Sequence, residues 1–282
     1  MKATVNGKSL YFDISGEALR MGESGLVDKP TLVLLHGAPG NSDHTVFKPI
    51  FNELSDVAQV IFLDLAGCGR SDNPTDGIFS LESWADDLVE FCGVLDIKKP
   101  ILLGNSGGGM VAAMVGIRHP AMPGKLILSS TQARLNTDRC LDKFEQLGGP
   151  EVRAVAEKAL VTHGDLQSFI EYSKKCMTLY NTTPQTRIRQ TIFRRECADA
   201  FHKLGGVWHQ MDFLDQLTEI TCPTMIMAGE EDPVTPVQDS EDMAVKINSR
   251  LLRFEKFTNA GHGVWLDDHD AAFAIIRDFI SN

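Results

Sequence analysis

Apolar residues recur along this chain in two rhythms that take turns. Short continuous runs at 31–35, 60–64, 101–103, 125–128, 224–228 and 251–254 read as strands covered on both faces. Between them the apolar positions follow helical spacing. Leu81, Trp84, Leu88, Phe91 and Leu95 form one stripe over 81–95, and residues 110–119 are apolar nearly all round until Pro120 stops them. Helices are also expected at about 42–55 and 270–280. The chain begins with two strands over 2–14 turned at Asn6-Gly7, and a polar, Gly-containing link leads to residue 31. This alternation predicts an α/β fold, with a mostly parallel central sheet flanked by helices.

From about 133 to 217 the alternation stops. Amphipathic stretches at 151–162 and 165–179 follow one another without a strand signal, and the strand pattern then resumes. The expected division is a core of 1–132 and 218–282, with a helical cap (lid) of 133–217 inserted before the last two strands. A cap so placed would cover the carboxyl edge of the sheet, where open α/β sheets bind ligands. Within it, Arg187, Arg189, Arg194 and Arg195 read as a solvated basic face. Met211 and Phe213 read as packing residues, whereas Trp208 and His209 are candidates to line an apolar substrate pocket.

A chain of 282 residues suffices for one such domain, and 43% hydrophobic with 23% charged residues is an ordinary globular balance. No apolar run has the length of a bilayer span, so no membrane association is expected. A net charge of −11 argues against nucleic acid as a partner. Cysteines 68, 92, 140, 176, 197 and 222 form no metal-binding or disulfide-framework spacing. Reduced thiols and a start without an apolar signal core make the cytoplasm the expected location.

Chemistry enters at Gly104-Asn105-Ser106-Gly107-Gly108-Gly109, between a predicted strand and a predicted helix. Gly-x-Ser-x-Gly at such a junction fits a nucleophile elbow, in which a tight turn pushes the serine hydroxyl out beside a helix N-terminus. A plain glycine-rich turn capped by the serine fits too. A phosphate loop fits less well, because no Lys-Ser/Thr follows the glycines. An acyl-transferring serine needs a base, a group orienting that base, and donors for the oxyanion. Glu230-Glu231-Asp232-Pro233 follows the 224–228 run, and Gly261-His262-Gly263 follows the last one. Serine, acid and histidine therefore occur in the order this chemistry uses on an α/β sheet. Asp232 is favoured because Pro233 rigidifies its turn, with Glu230 and Glu231 as competitors. Asp267 and Asp268 read as the solvated start of the last helix. The Gly107 amide and the Ala38 amide, the latter in His36-Gly37-Ala38-Pro39-Gly40, would form the oxyanion hole. Asn105, beside the serine, is a further pocket candidate. No cofactor or metal is called for.

Together these motifs resemble the α/β-hydrolase fold over nearly the whole chain. His36-Gly37-Ala38-Pro39-Gly40, the stretch from Asp64 to Ser71, and the segments around Asp232 and His262 are similar to the prolyl iminopeptidase-like and esterase branch. The resemblance implies Ser106, Asp232 and His262 as a catalytic triad acting on a small-molecule substrate. The chain departs from the peptidases at Leu65-Ala66, where they carry Gln-Arg, and at Gly107, where they carry Trp. Glu196 and Asp199 are the candidates for the acidic cap residues with which those enzymes bind a free amine. The expectation is a serine hydrolase of a small, partly apolar ester or lactone, working through an acyl-enzyme. An aminopeptidase is the alternative, as is a receptor that keeps the fold with little turnover.

Overall fold

Asn6 and Gly7 both adopt left-handed backbone, at φ 48° and 76°, and so turn β1 (Lys2–Val5) back onto β2 (Lys8–Ser15). The computed structural model describes all residues except 23–24, 49, 163–165 and 185–190. The expected polar link is in fact a separate ribbon, in which β3 (Leu19–Gly22) pairs antiparallel with β4 (Gly25–Asp28). Its side chains are mostly exposed, so it lacks the alternating apolar pattern that would have announced it. β5 (Thr31–Leu35), β6 (Gln59–Leu63), β7 (Ile101–Asn105), β8 (Lys125–Ser129), β9 (Thr224–Gly229) and β10 (Leu252–Phe257) complete the main sheet. Its order is β1-β2-β6-β5-β7-β8-β9-β10, antiparallel at β1–β2 and β2–β6 and parallel from β6 onward.

Period-two alternation within the strands divides the apolar residues between two cores. Val33, Leu35, Ile61 and Leu63 face one, with Trp84 and Phe91 of α1 (Leu81–Val94) and most of α2 (Gly107–Arg118). Leu32, Leu34, Val60 and Phe62 face the other, with Phe47, Phe51, Trp265 and Phe273. Coverage on both sides is why the parallel strands are continuously apolar in sequence. Residues 42–55 are two 3-10 segments, His44–Val46 and Ile50–Asp56, where an α-helix was expected. A proline at 49 has no amide for an α-helix, and the Asp43 side chain instead caps a short turn by accepting from Thr45 N at 2.9 Å.

Between β8 and β9 lie α3 (Thr137–Gly148), α4 (Pro150–Glu157), α5 (Leu166–Lys175), α6 (Arg195–His202) and α7 (Val207–Gln210). The expected 151–162 helix ends at Glu157 and closes in a wider π turn over Lys158–Thr162. The expected 165–179 helix is α5 followed by a 3-10 turn at Met177–Leu179, with residue 165 outside the described residues. Arg187 and Arg189 lie outside them as well. An antiparallel bridge and a 2.7 Å ion pair join Arg134 to Asp212, so the two ends of the insert leave the sheet together. Cys140, Leu141, Phe144, Ala156, Tyr172 and Cys176 give the insert a small core of its own. α8 (Val237–Lys246), α9 (Val264–Asp267) and α10 (His269–Ser281) finish the chain. Among the described residues no helix is long and apolar enough to cross a membrane.

α6 seats the insert on the sheet. Arg195 is exposed as expected, but Arg194 turns inward: its guanidinium donates to Gly69 O at 3.1 Å, Ser71 O at 2.9 Å and Asn73 Oδ1 at 2.7 Å. Its amide donates to Gly40 O at 2.8 Å. A Cβ on Gly40 would run into the backbone of Ala198, so helix and loop touch without an intervening side chain. At the end of α6, His202 stands edge-on to Phe201 at 4.8 Å, its Nε2 buried without a hydrogen bond. Burial, reinforced by His209, holds the His202 pKa down, to about 4.

Two stability predictions follow from this packing. A Cβ on Gly108 would sit 2.5 Å from Leu35 C and 2.7 Å from His36 O, both rigid backbone. Gly108→Ala should therefore cost about 3 kcal/mol, whereas Gly93→Ala, on the open end of α1, should gain up to about 1 kcal/mol. Urea unfolding of the two variants checks the contrast. For His202 the depressed pKa means that the native state holds the neutral ring. Its contribution is intact above pH 6.5 and is lost as the pH falls toward 4, because the unfolded chain takes up the proton first. The loss is about 3 kcal/mol. His202→Asn should flatten that part of the stability–pH curve; an unchanged curve would remove His202 from the account.

Candidate active site

β7 ends and α2 begins at one residue, Ser106, with φ 54° and ψ −122°. A non-glycine residue there carries strain of roughly 1–3 kcal/mol, which its surroundings must impose. Glycines do so by letting backbones close in. A Cβ on Gly104 would lie 2.5 Å from Gly109 N, and one on Gly109 would lie 2.7 Å from Thr131 Cβ. Thr131 Oγ1 donates to Ser106 O at 2.7 Å, and Ser106 N donates to Ser129 O at 2.9 Å. Both polar ends of the strained peptide are thereby held.

The loop after β5 lies against this turn. A Cβ on Gly37 would come within 2.8 Å of Ser106 Cβ, and one on Gly107 within 2.8 Å of Pro39 Cδ and 3.4 Å of Phe201 Cζ. His36 anchors the loop from below. Leu65 N donates to its Nε2 at 3.4 Å, so Nδ1 carries the proton toward Gly37 O at 3.0 Å. Ala38 is held at φ 44°, again left-handed. Among the described residues neither the Ala38 amide nor the Gly107 amide has an acceptor. Two unused donors beside one serine are the arrangement that oxyanion stabilisation requires.

At the ends of β9 and β10 the acid and the imidazole meet. Asp232 is fully buried, and its Oδ2 accepts from His262 Nδ1 at 2.8 Å and from Thr235 Oγ1 at 2.7 Å. Its Oδ1 accepts from Val234 N at 2.7 Å and Thr235 N at 3.0 Å. Four donors saturate the carboxylate and fix its direction. Glu231, one of its competitors, is paired with Lys143 of α3 at 2.8 Å and so points into the insert. His262 Nε2 and the Ser106 hydroxyl carry no hydrogen bond among the described residues. In a ligand-free site such a contact can tighten only when substrate arrives.

Several of the residues that hold this geometry have no local sequence signal. Tyr180, from the insert, accepts from His262 N at 2.6 Å through its carbonyl and sets its ring edge-on to the imidazole at 5.5 Å. Asp267, expected as a solvated helix start, instead accepts from Gly261 N at 2.8 Å, Asn181 Nδ2 at 3.0 Å, Thr182 N at 3.1 Å and Thr183 N at 2.8 Å. It thus ties the histidine loop to the insert, while Asp268 caps α10. Thr235 could have been read from its place three residues after the acid, where a hydroxyl can back-bond to a carboxylate.

The expected pocket residues are turned toward protein. Asn105 Nδ2 donates to Ser129 O at 3.2 Å and approaches His262 O at 3.5 Å, bracing serine loop to histidine loop. Trp208 is 6% exposed within the main core. With the Gln132 amide oriented to satisfy both ends, Trp208 Nε1 donates to it at 2.7 Å. His209 Nε2 donates to Leu160 O at 2.8 Å. Met211 and Phe213 are buried in the core, as expected. One group among the described residues, Asp43, His44 and Asp64, gathers possible metal-ligating atoms within 4.8 Å. Its oxygens are already taken: Asp64 accepts from His44 N, His44 Nδ1 and Arg70 N, and Asp43 from Thr45 and Ile192 N. The cluster is a hydrogen-bonded hub beneath the loops.

A proline iminopeptidase of Lactobacillus helveticus is 28% identical over 291 residues, covering 97% of this chain and 95% of the relative. A thermophilic esterase from Thermogutta terrifontis is 26% identical with a TM-score of 0.68, covering 100% of this chain and 97% of the other. The enol-lactonase from Burkholderia xenovorans LB400 shares the fold at 21% identity and a TM-score of 0.70, with complete coverage of both chains. The family model described as alpha/beta hydrolase fold matches residues 30–268. On that match, the chain belongs to the alpha/beta hydrolase fold family and is a hydrolase.

Proposed function

We propose that this hydrolase cleaves esters or lactones of small, partly apolar substrates through a serine acyl-enzyme. The observation that carries the reading is the saturated Asp232 bonded at 2.8 Å to His262 Nδ1, on loops next to a serine held at φ 54°. Ser106 Oγ attacks the carbonyl, and His262 Nε2 takes its proton and returns it to the leaving group. Asp232 fixes the tautomer with Nδ1 protonated and stabilises the imidazolium. The Ala38 and Gly107 amides receive the oxyanion, an interaction worth about 3 kcal/mol per donor in comparable sites. Water then releases the acyl group by the same proton relay.

In this reading residues 133–217 act as the cap. Support comes from α6, which brings Phe201 over Gly107 and Ala198 against Gly40. Ester or lactone chemistry is favoured over cleavage at a free N-terminus by the acidic residues of α6. Glu196 is exposed and bonded to Asn73 Nδ2, and Asp199 is exposed and paired with Arg195 at 3.5 Å. Neither makes a contact with the serine turn among the described residues. Aminopeptidase action is the second reading, favoured by the name of the Lactobacillus relative. Six free, buried cysteines fit a reducing compartment, which supports the cytoplasm as the location.

A fluorophosphonate probe should label the wild-type protein and leave Ser106→Ala unlabelled. Asp232→Asn should lower kcat on a nitrophenyl ester by about 10⁴-fold, because the ring loses its correct tautomer. In a panel of nitrophenyl esters, lactones and aminoacyl naphthylamides, turnover is expected on the first two. Turnover confined to prolyl amides would establish the second reading. A folded wild type that neither labels nor turns over any of them would leave a binding protein in place of an enzyme.

A further inference from the structure

Core and insert meet at a pair of sulfurs. Cys68 lies in the loop after β6 and Cys197 on α6, 129 residues apart in sequence, with their Sγ atoms 3.6 Å from each other. Both are fully buried, and Cys68 Sγ also accepts from Gly40 N at 3.3 Å. A Cβ on Gly67 would lie 3.3 Å from Cys197 Cβ, so helix and loop are in close contact around the pair. We propose that Cys68 and Cys197 form a redox latch, in which oxidation to a disulfide bonds α6 to the core and holds the insert closed over the 36–40 loop.

A disulfide needs about 2.0 Å between sulfurs, so the pair has a gap of about 1.6 Å to close. The oxidant is of the peroxide class. Peroxide converts one thiol to a sulfenic acid and releases one water; the second thiol displaces the hydroxyl as another water, and two electrons pass from the sulfurs to the O–O bond. Burial, with Cys197 as neighbour, raises the Cys68 thiol well above its usual value, which protects it while the insert is seated. Both thiols lie on one seam, so parting α6 from the core exposes them together. The latch therefore reports on an insert that opens. It also joins α6, which carries Phe201, to the loop whose Cys68 Sγ accepts from Gly40 N, so a closed latch restricts access to the serine. Cys140 and Cys176 share the insert's own core and span no such seam.

The test treats the reduced full-length protein with hydrogen peroxide and compares it with the dithiothreitol-reversed sample. Expected are loss of two of the six thiols, a Cys68–Cys197 cross-linked peptide, and a melting temperature higher by roughly 5 °C or more. Fluorophosphonate labelling should slow at least about tenfold in the oxidised form, a loss that dithiothreitol restores. Cys197→Ala should keep the reduced labelling rate and lose every response to peroxide, and Cys197→Ser, which differs from the native side chain by one atom, serves the same purpose should the first variant not fold. Absence of the Cys68–Cys197 peptide, cross-linking confined to Cys140–Cys176, or a cross-link that shifts neither melting nor labelling would each overturn the proposal. If the reduced wild type is not labelled at all, the serine assignment falls, and peptide mapping and melting still decide the latch.

Discussion

The rest of the site depends on one steric constraint: the backbone at Ser106 has to turn at φ 54° between a buried strand and a buried helix. No single bond forces that conformation. It is over-determined by close backbone crossings at Gly104 and Gly108, by the Thr131 side chain against Gly109, by Gly37 against Ser106 itself, and by Thr131 and Ser129 on the peptide's two polar ends. Each crossing is fixed in turn by a strand of the sheet, since β5, β7 and β8 are adjacent and in parallel register. Strain at the serine is therefore transmitted from the sheet. A loop alone could not sustain it, because a loop would relax to a commoner backbone region.

The same sheet sets the opposite wall. Gly229 packs on the carbonyls of Ala260 and Gly261, so the acid loop and the histidine loop leave neighbouring strands in contact. Asp232 then spends all of its lone pairs on four donors, of which His262 is only one. A buried carboxylate with fewer donors would be costly and free to turn. The imidazole is squeezed from its other side by Tyr180, and Asp267 gathers Gly261 and three consecutive residues of the insert around one carboxyl. The position of the His262 ring is thus set by core and insert together.

How much of this was legible in the sequence follows from how local each signal is. The strands around β5 to β9 announce themselves because burial on both faces leaves no polar positions to blur them. The turns that hold Ser106, Ala38, Gly107, Asp232 and His262 could be placed because tight turns write themselves in Gly and Pro within a few residues. The 42–55 segment was misread because one proline decides between α and 3-10 geometry while the apolar spacing stays helix-like. β3 and β4 were missed because a solvated ribbon has no apolar face. Tyr180, Asp267 and Arg194 lay beyond reach for another reason: their partners are distant in sequence, and nothing beside them marks a residue that bonds backbone in another segment. Arg194 looked like one arginine in a basic run, yet it makes three bonds to the core.

That last contrast bears on why the reaction is easier to read than the substrate. On the proposed reading, chemistry at a carbonyl needs a fixed set of groups at fixed distances, and those groups stand at strand ends of the core. Choice of substrate needs only a surface of suitable shape, which many sequences can provide. In this chain the two are physically joined: α6 presses Ala198 on Gly40 and Phe201 on Gly107, the same loop and turn that carry the Ala38 and Gly107 amides, which have no acceptor among the described residues. Any side chain introduced on that face of α6 would press on the loop and turn that carry these two amides. On the proposed reading, selectivity can therefore change most freely at insert positions that do not touch the 36–40 loop, because α6 itself is constrained by its contacts with Gly40 and Gly107.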